Sequence, residues 1–190
     1  GITKEAAAAV TDIRTWFKGN TAITSFDEFE MFTGVTSIGT EEWSDWKAAF
    51  KGCSELTSIT LPSSLRQIGY DVFRDCVKLT SVNIYNVTRI WHQAFYNCGE
   101  LHIDVVMPNA SAVGSAAFAN SGINRALGLG SITSLAGGWG ADEGVFRKGK
   151  SLTVAILAET LTNIGIQVVA GCEALEAVIV KNPTPATDGS

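Results

Sequence analysis

The sequence predicts a right-handed α/β solenoid of about six coils, with one parallel β-sheet face and an N-terminal helical cap. Phe50, Phe73 and Phe95 recur at steps of 23 and 22 residues, each followed three residues later by a cysteine and six later by a leucine. An alternation of apolar and other residues follows the first two of these leucines, as short strands require. A fixed period of this length is typical of stacked units that bury their apolar faces only against neighbours.

The amino-terminal segment predicts the cap. Thr3 can cap the amino end of a helix over residues 3–18, and Gly19 can end it. Its apolar stripe consists of Val10, Ile13, Trp16 and Phe17. We therefore predict a cap at residues 1–22 that buries this stripe, including Trp16, and a degenerate first coil over residues 23–39.

Each regular unit then carries a strand motif. Leu56-x-x-Ile59-x-Leu61-x-x-Ser64 follows the leucine-rich repeat signature, and related motifs begin at residues 79, 152 and 175. In such a short strand every second side chain faces solvent. The residues predicted to form this outward face are Ser58, Thr60, Ser81, Asn83, Tyr85, Val154, Ile156, Ala177, Ile179 and Lys181.

Two units depart from the period. The unit beginning at Leu101 contains one additional residue, which predicts a register shift or bulge. The unit from Phe118 to Phe146 has 28 residues and lacks both the cysteine and the regular strand motif. Its surplus falls in or near residues 137–144, a glycine-rich stretch around Trp139. Such insertions predict a loop protruding beside a binding face.

The four cysteines occupy one slot of the repeat: Cys53, Cys76, Cys98 and Cys172. A free cysteine packs as a small apolar residue, so the simplest prediction is a ladder of buried thiols. A disulfide between adjacent units and a metal site are the weaker alternatives. No C-x-x-C pair exists, and neither histidine stands at a zinc-like spacing from the cysteines.

Composition limits the classes of partner. The chain is 46% hydrophobic and 17% charged, with mean hydropathy +0.18, which favours a packed core over disorder. A net charge of −5 without a basic cluster disfavours nucleic acid. No apolar run reaches the roughly 18 residues of a membrane span, so we expect no membrane insertion. The start at Gly1 leaves open a removed signal peptide or a piece of a longer protein.

The combined motif FxxCxxLTSITLPxSLxxIGxxVF resembles the BspA-like leucine-rich repeat family of bacterial surface proteins, also called the Treponema pallidum type. The resemblance covers roughly residues 23–185 and leaves a short tail at residues 186–190. It implies a curved parallel solenoid and a role in adhesion or recognition. It also implies an extracellular or cell-surface location within a longer parent chain. Some members of this family bind host extracellular-matrix proteins. The residues that carry it are Phe50, Cys53, Leu56, Thr57, Ser58, Ile59, Leu61, Pro62, Ile68, Gly69 and Phe73.

No pattern predicts catalysis, a cofactor or a metal. The two histidines, His92 and His102, lack a nucleophile motif, and no phosphate-binding or H-E-x-x-H pattern occurs. Exposed aromatic and polar residues beside the sheet predict instead a surface that binds a protein or a glycan. The predicted ligand-binding residues are Asn83, Tyr85, Trp91, Trp139, Asp142 and Lys181.

The sequence therefore favours a non-enzymatic binding or adhesion module. A structural spacer that holds other domains apart is the alternative from a different class. A glycan-processing enzyme is a third and weaker hypothesis, because no carboxylate pair stands out on the predicted sheet.

Overall fold

The computed structural model describes residues 2–42, 47–135, 144–165 and 167–181. Within them the chain repeats one pattern of a short strand, a corner, a second short strand and a turn that carries phenylalanine. The first strands of the units are β1 (Ser25–Phe26), β3 (Ser58–Ile59), β5 (Ser81–Val82), β7 (Asp104–Val106), β9 (Arg125–Gly128), β11 (Val154–Leu157) and β13 (Ala177–Val180). The second strands are β2 (Ser37–Ile38), β4 (Gln67–Ile68), β6 (Arg89–Ile90), β8 (Ala112–Val113), β10 (Ser134–Leu135) and β12 (Asn163–Ile164).

Every strand that is paired in the described residues pairs in parallel with a strand of a neighbouring unit. The first strands form a three-stranded sheet, β1-β3-β5, and a four-stranded sheet, β7-β9-β11-β13. We call this surface the first face. The second strands form their own sheets, β2-β4-β6-β8 and β10-β12. The described residues thus contain six units with both strands and the first strand of a seventh unit, in agreement with the predicted solenoid.

Stacked phenylalanine rings run through the core. Neighbouring rings lie 5.1–5.9 Å apart between centroids, and their planes differ by no more than 18°. The backbone N–H of each donates to a carbonyl of the next unit, for example from Phe73 to Ala94 at 2.8 Å. Burial of these rings is the main apolar contribution to stability. The stacked rings belong to Phe17, Phe50, Phe73, Phe95, Phe118 and Phe146.

The predicted cysteine ladder is confirmed as free thiols, three buried and Cys172 partly buried. Each thiol donates to the carbonyl of the phenylalanine one unit earlier, at 3.0–3.1 Å, as Cys98 does to Phe73. Burial raises the pKa of all four thiols, that of Cys53 to about 11. The thiols are therefore protonated donors near neutral pH, and each one links two units.

The amino-terminal helix is much shorter than predicted. Helix α1 covers only Lys4–Ala8, capped by the Thr3 hydroxyl, which accepts a hydrogen bond from the Ala6 N–H at 3.2 Å. Residues 14–19 form turns instead, because the Phe17 N–H donates to the Ala49 carbonyl and the Phe17 ring stacks on Phe50. These residues thus already form the phenylalanine turn of a unit. Trp16 points to solvent, 55% exposed, so its predicted burial was wrong.

The unit from Phe118 to Phe146 keeps the core pattern in spite of its length. It forms strand β9, contrary to the expectation that it lacks a regular strand, because Ile123, Ala126 and Leu129 still occupy buried positions. The surplus lies where it was predicted. The step from the second strand to the next phenylalanine is eleven residues here, from Leu135 to Phe146, but only five residues in the unit where it runs from Ile90 to Phe95. Trp139 and the rest of residues 136–143 lie outside the described residues.

The predicted irregularity at Leu101 is confirmed. The step from this leucine to the buried Val105 is four residues instead of three, and no register pair joins β5 to β7 in the described residues. A register shift follows, because Val105 pairs with Ala126 whereas Val106 pairs with Gly128. The proposed division into a cap (1–22), a solenoid (23–185) and a tail (186–190) stays a prediction, and the tail lies outside the described residues.

Candidate functional site

The first face divides into two parts of different chemistry. Its outward residues are polar on strands β1, β3 and β5, which we call the polar half. They are mostly apolar on β7, β9, β11 and β13, which we call the apolar half. Asp104 and Arg125, directly opposite each other on β7 and β9, form a two-point ion pair at the boundary.

Three outward side chains of the polar half are hydrogen-bonded to the protein itself. The Ser58 and Thr60 hydroxyls donate to the Asp27 carboxylate at 3.3 and 3.1 Å. The Asn83 amide accepts from the Leu61 N–H at 2.6 Å and donates to the Leu61 carbonyl at 3.0 Å. These groups stabilise neighbouring coils, so part of their polar capacity is already used.

Apart from Asp104 and Arg125, the outward side chains of the apolar half are mostly aliphatic and cannot form such hydrogen bonds. Residue Ile179 is 45% exposed, and the others are partly exposed. Water-facing positions of a half-buried sheet are normally polar, so a continuous row of aliphatic side chains is a candidate contact surface. The row consists of Val106, Leu127, Ile156 and Ile179, and Val154 lies beside it, opposite Arg125 and Ala177.

A cleft of about 320 Å³ opens at the carboxyl ends of these strands. Aliphatic side chains, among them Leu127 and Ile156, form its walls, and Glu159 and Lys181 stand at its rim. We call it the β9–β11 cleft. It combines an apolar interior with a few polar groups, which is the usual composition of a binding site.

The structure places the predicted ligand-binding residues in different regions. Tyr85, which is 59% exposed, and Lys181 follow the first strands of their units at the same position. They lie four units apart along the stack. Asn83 lies two residues before Tyr85 with its amide bound to Leu61. Only Lys181 lines the cleft, and Asp142, like Trp139, lies outside the described residues.

Trp91 lies on the other side of the coil, at the corner that follows β6. The register aligns it with Gly69 of the preceding unit and Gly114 of the following unit. A Cβ at Gly114 would lie within 2.7 Å of the Trp91 carbonyl carbon, which explains the glycine. The indole is partly buried, and its nitrogen has no hydrogen-bond partner in the part of the chain that the structure describes. The structure therefore separates Trp91 from the first face.

Both histidines contact a polar group of the protein itself. His92 Nδ1 accepts from the Ser115 N–H at 3.1 Å, and His102 lies 3.5 Å from the Glu100 carboxylate. Across the described ranges no three His, Cys, Asp or Glu side chains gather as a metal site would require. Those ranges likewise include no helix with the length and apolar character to cross a membrane.

One buried carboxylate belongs to the framework. Asp71 is 3% exposed and accepts from the Lys51 ammonium at 2.7 Å, with the Arg74 guanidinium at 3.5 Å. The guanidinium also lies 4.9 Å from the centre of the Tyr96 ring. The two cations balance the charge of this buried carboxylate and hold it in place, so the ion pairs join adjacent phenylalanine turns.

Sequence reasoning named Ile156 only as one of ten outward residues and missed Leu127 and Glu159 entirely. The available signal was the spacing of the buried residues around β9. Ile123 to Ala126 has the usual step of three, but Ala126 to Leu129 also takes three residues where Ile59 to Leu61 takes two. The additional residue shifts the register with β7, whereas Leu127 faces outward because it follows the buried Ala126, as the outward Thr60 follows Ile59.

Comparison with known proteins identifies the repeat. The model of a BspA-type leucine-rich repeat region, present in six copies, matches residues 17–137. No curated protein matches the chain.

Two solved structures share the fold. The leucine-rich repeat protein of Treponema pallidum is 24% identical, with a TM-score of 0.55, over 80% of this chain and 70% of that one. A leucine-rich cell surface protein of Faecalibacterium prausnitzii A2-165 is 22% identical, also with a TM-score of 0.55. That match covers 82% of this chain but only 39% of the length of the other protein.

Proposed function

The chain belongs to the BspA-type leucine-rich repeat family, and from this premise we propose that it is a non-enzymatic binding or adhesion module. It recognises a protein or a glycan through the first face and the loop around Trp139. Proteins of this repeat class are generally binding or scaffold modules, in which a regular core presents a variable surface. The chemistry of that surface therefore has to identify the partner.

The apolar half carries this proposal. A module that only holds other domains apart needs a soluble outer surface. We would expect such a module to have polar outward residues along its whole length, like those of the polar half. The aliphatic row from Val106 to Ile179 instead exposes apolar area to water, which is unfavourable unless a partner covers it. Aliphatic side chains favour a protein partner, such as an extracellular-matrix protein, over a polar glycan.

Tyr85 and Lys181 extend the proposed surface along the carboxyl edge of the first face. An exposed tyrosine ring supplies contact area and a hydroxyl, and the lysine supplies a positive charge. Asn83 would act mainly by holding this edge in place. Trp91, Trp139 and Asp142 remain proposed contacts, the last two within the inserted loop.

The test uses an array of extracellular-matrix proteins and bacterial and host glycans. Val154→Asp places a charge in the apolar half and should abolish retention of a protein partner. Ser81→Asp at the corresponding outward position of the polar half is the matched control and should bind like wild type. No retention of any array component by wild type would favour the spacer hypothesis, equal retention by all three proteins would exclude the apolar half as the contact surface, and retention of glycans alone would contradict a protein partner.

A second comparison tests the inserted loop. Trp139→Ala should weaken retention on the same array without changing the melting temperature, because the residue is proposed to contact the partner and not the core. Binding equal to that of wild type would remove the loop from the proposed site.

We also propose an extracellular or cell-surface location within a longer parent protein, by analogy with the cell surface protein of F. prausnitzii. Digestion of intact producing cells with an external protease should remove the epitopes of this segment. Their persistence until cell lysis would contradict that location.

A further inference from the structure

The four-stranded sheet of the first face is split along part of its length. Strands β9 and β11 pair only through Arg125 with Val154 and Ala126 with Ala155. On either side the pairing continues further, to Gly128 in β7-β9 and to Leu157 in β11-β13. Beyond Ala126 and Ala155, no register pair joins these two strands within the described residues. The β9–β11 cleft occupies this gap.

Another pair of units shows which chemical group such a gap accepts. The β3-β5 pairing also ends early, at Ile59 with Val82. The next residue, Asn83, places its side-chain amide against Leu61, accepting at 2.6 Å and donating at 3.0 Å. One amide, with a donor and an acceptor side by side, therefore continues the ladder where the two backbones separate.

Ile156 occupies the corresponding position in the cleft, directly after the last pair of β9 and β11. Its side chain can neither donate nor accept a hydrogen bond. The gap is thus bounded by backbone on both sides and by the aliphatic side chains of Leu127 and Ile156. The described residues provide no amide that closes it.

The rim adds two charges of opposite sign. Glu159 follows β11 and Lys181 follows β13; both are exposed, and neither has an ion-pair partner in the described part of the chain. The volume of about 320 Å³ is at the lower end for ligand pockets, so it suits a short segment.

We propose that the β9–β11 cleft binds an extended peptide segment of a partner protein. One peptide group of the segment bonds in the gap as the Asn83 amide bonds to Leu61, and an aliphatic side chain lies between Leu127 and Ile156. Extended peptides present donors and acceptors along their edge and add to sheets in this way. Glu159 and Lys181 select flanking residues of opposite charge. This inference rests on the proposed function and specifies its ligand.

The first experiment titrates the isotope-labelled protein with N-acetyl-leucine N-methylamide, followed by amide NMR spectra. This probe carries two peptide groups and one aliphatic side chain. Saturable shifts should concentrate at residues 127–130 and 156–159. Scattered or absent shifts, or equal shifts with N-acetylglucosamine, which has an acetamide but no aliphatic side chain, would overturn the proposal.

The second experiment closes the gap from within. Ile156→Asn should bond across the cleft as Asn83 does and weaken probe binding at least tenfold. Ile164→Asn is the matched control, since it removes an exposed isoleucine on β12, in the second sheet and outside the cleft. It should leave probe binding within twofold of wild type. Equal losses in both variants, or no loss in Ile156→Asn, would contradict the peptide site.

Leu127→Ser provides a second variant if Ile156→Asn does not fold, and it should weaken probe binding severalfold. Failure of the cleft can be distinguished from failure of the proposed function. If the probe does not bind but array proteins are still retained in a manner sensitive to Val154→Asp, only the peptide site is wrong. If both are lost, the binding function itself is wrong.

Discussion

The units between Phe50 and Phe95 differ from those that follow in their outward chemistry, although one phenylalanine stack forms the core of both. Phenylalanine stacking and its backbone hydrogen bonds continue through both regions. In the earlier units thiols link neighbouring coils, and outward polar groups bond to the protein itself. In the later ones Ser121 and Gly149 occupy two cysteine slots, and the outward residues are mostly aliphatic. A regular core therefore leaves the surface free to diverge.

The largest expected effect tests whether the core is continuous. Phe95 is fully buried between the rings of Phe73 and Phe118, so Phe95→Ala should lower the free energy of unfolding by about 3–5 kcal/mol. Val169 fills the same slot near the end of the ladder but is only partly buried. Val169→Ala should cost about 1 kcal/mol or less. Similar losses of unfolding free energy in urea titrations of both variants would contradict a core that is better packed in its middle than near its end.

The next effect concerns the cysteine slot. Cys98 donates to Phe73 of the preceding unit, whereas the Ser121 hydroxyl donates to Phe118 of its own unit at 2.6 Å. We expect Cys98→Ser to exchange the link between units for the local bond and to lose about 1–2 kcal/mol. Cys172→Ser, at a partly exposed position, is the control and should lose less. Urea unfolding measures both, and a neutral Cys98→Ser would show that the thiols only fill space.

Replacing the amide that closes the earlier gap has a smaller effect. Asn83→Leu leaves the Leu61 N–H and carbonyl without their side-chain partner and should cost about 1 kcal/mol. It should also give the β3-β5 pair a gap like that of β9 and β11. The control is Tyr85→Leu, which alters a neighbouring exposed residue that makes no such bond. Faster hydrogen exchange at Leu61 in the first variant only is the expected signature.

The period of the sequence predicted the core because burial restricts residue type at every repeat. The amino-terminal helix was mispredicted because Val10, Ile13 and Phe17 suit a helix locally. The contact that decides otherwise, Phe17 on Phe50, joins residues 33 positions apart. The cleft could not be predicted because it depends on where two strands stop pairing. That point is set by backbone register, which the outward residues do not encode.

Thiol ionisation makes the stability of the solenoid depend on pH, because burial raises the pKa of the thiols. The protonated thiol is the native form, and burial raises the pKa of Cys53 from 9.0 to about 11. Its stabilising contribution is therefore complete below about pH 9 and is lost as the pH rises through about 11. Unfolding free energies measured from pH 8 to 11 should fall less steeply in Cys53→Ala. In native protein at pH 8, a maleimide reagent should modify Cys172 first.

The smallest effect on stability belongs to the boundary between the halves. Arg125 is exposed, and an exposed ion pair contributes little, so Arg125→Leu should leave the melting temperature nearly unchanged. The same change extends the apolar half by one side chain and should strengthen retention of a protein partner on the array. Arg89→Leu adds an equal apolar side chain on the second sheet, where β6 lies, and should not change retention. If both variants bind more tightly, adhesion follows general hydrophobicity, and the first face is not a specific site. If only Arg125→Leu binds more tightly, the ion pair of Asp104 and Arg125 limits the contact surface. Binding by the first face would then change without a change in the stability of the core.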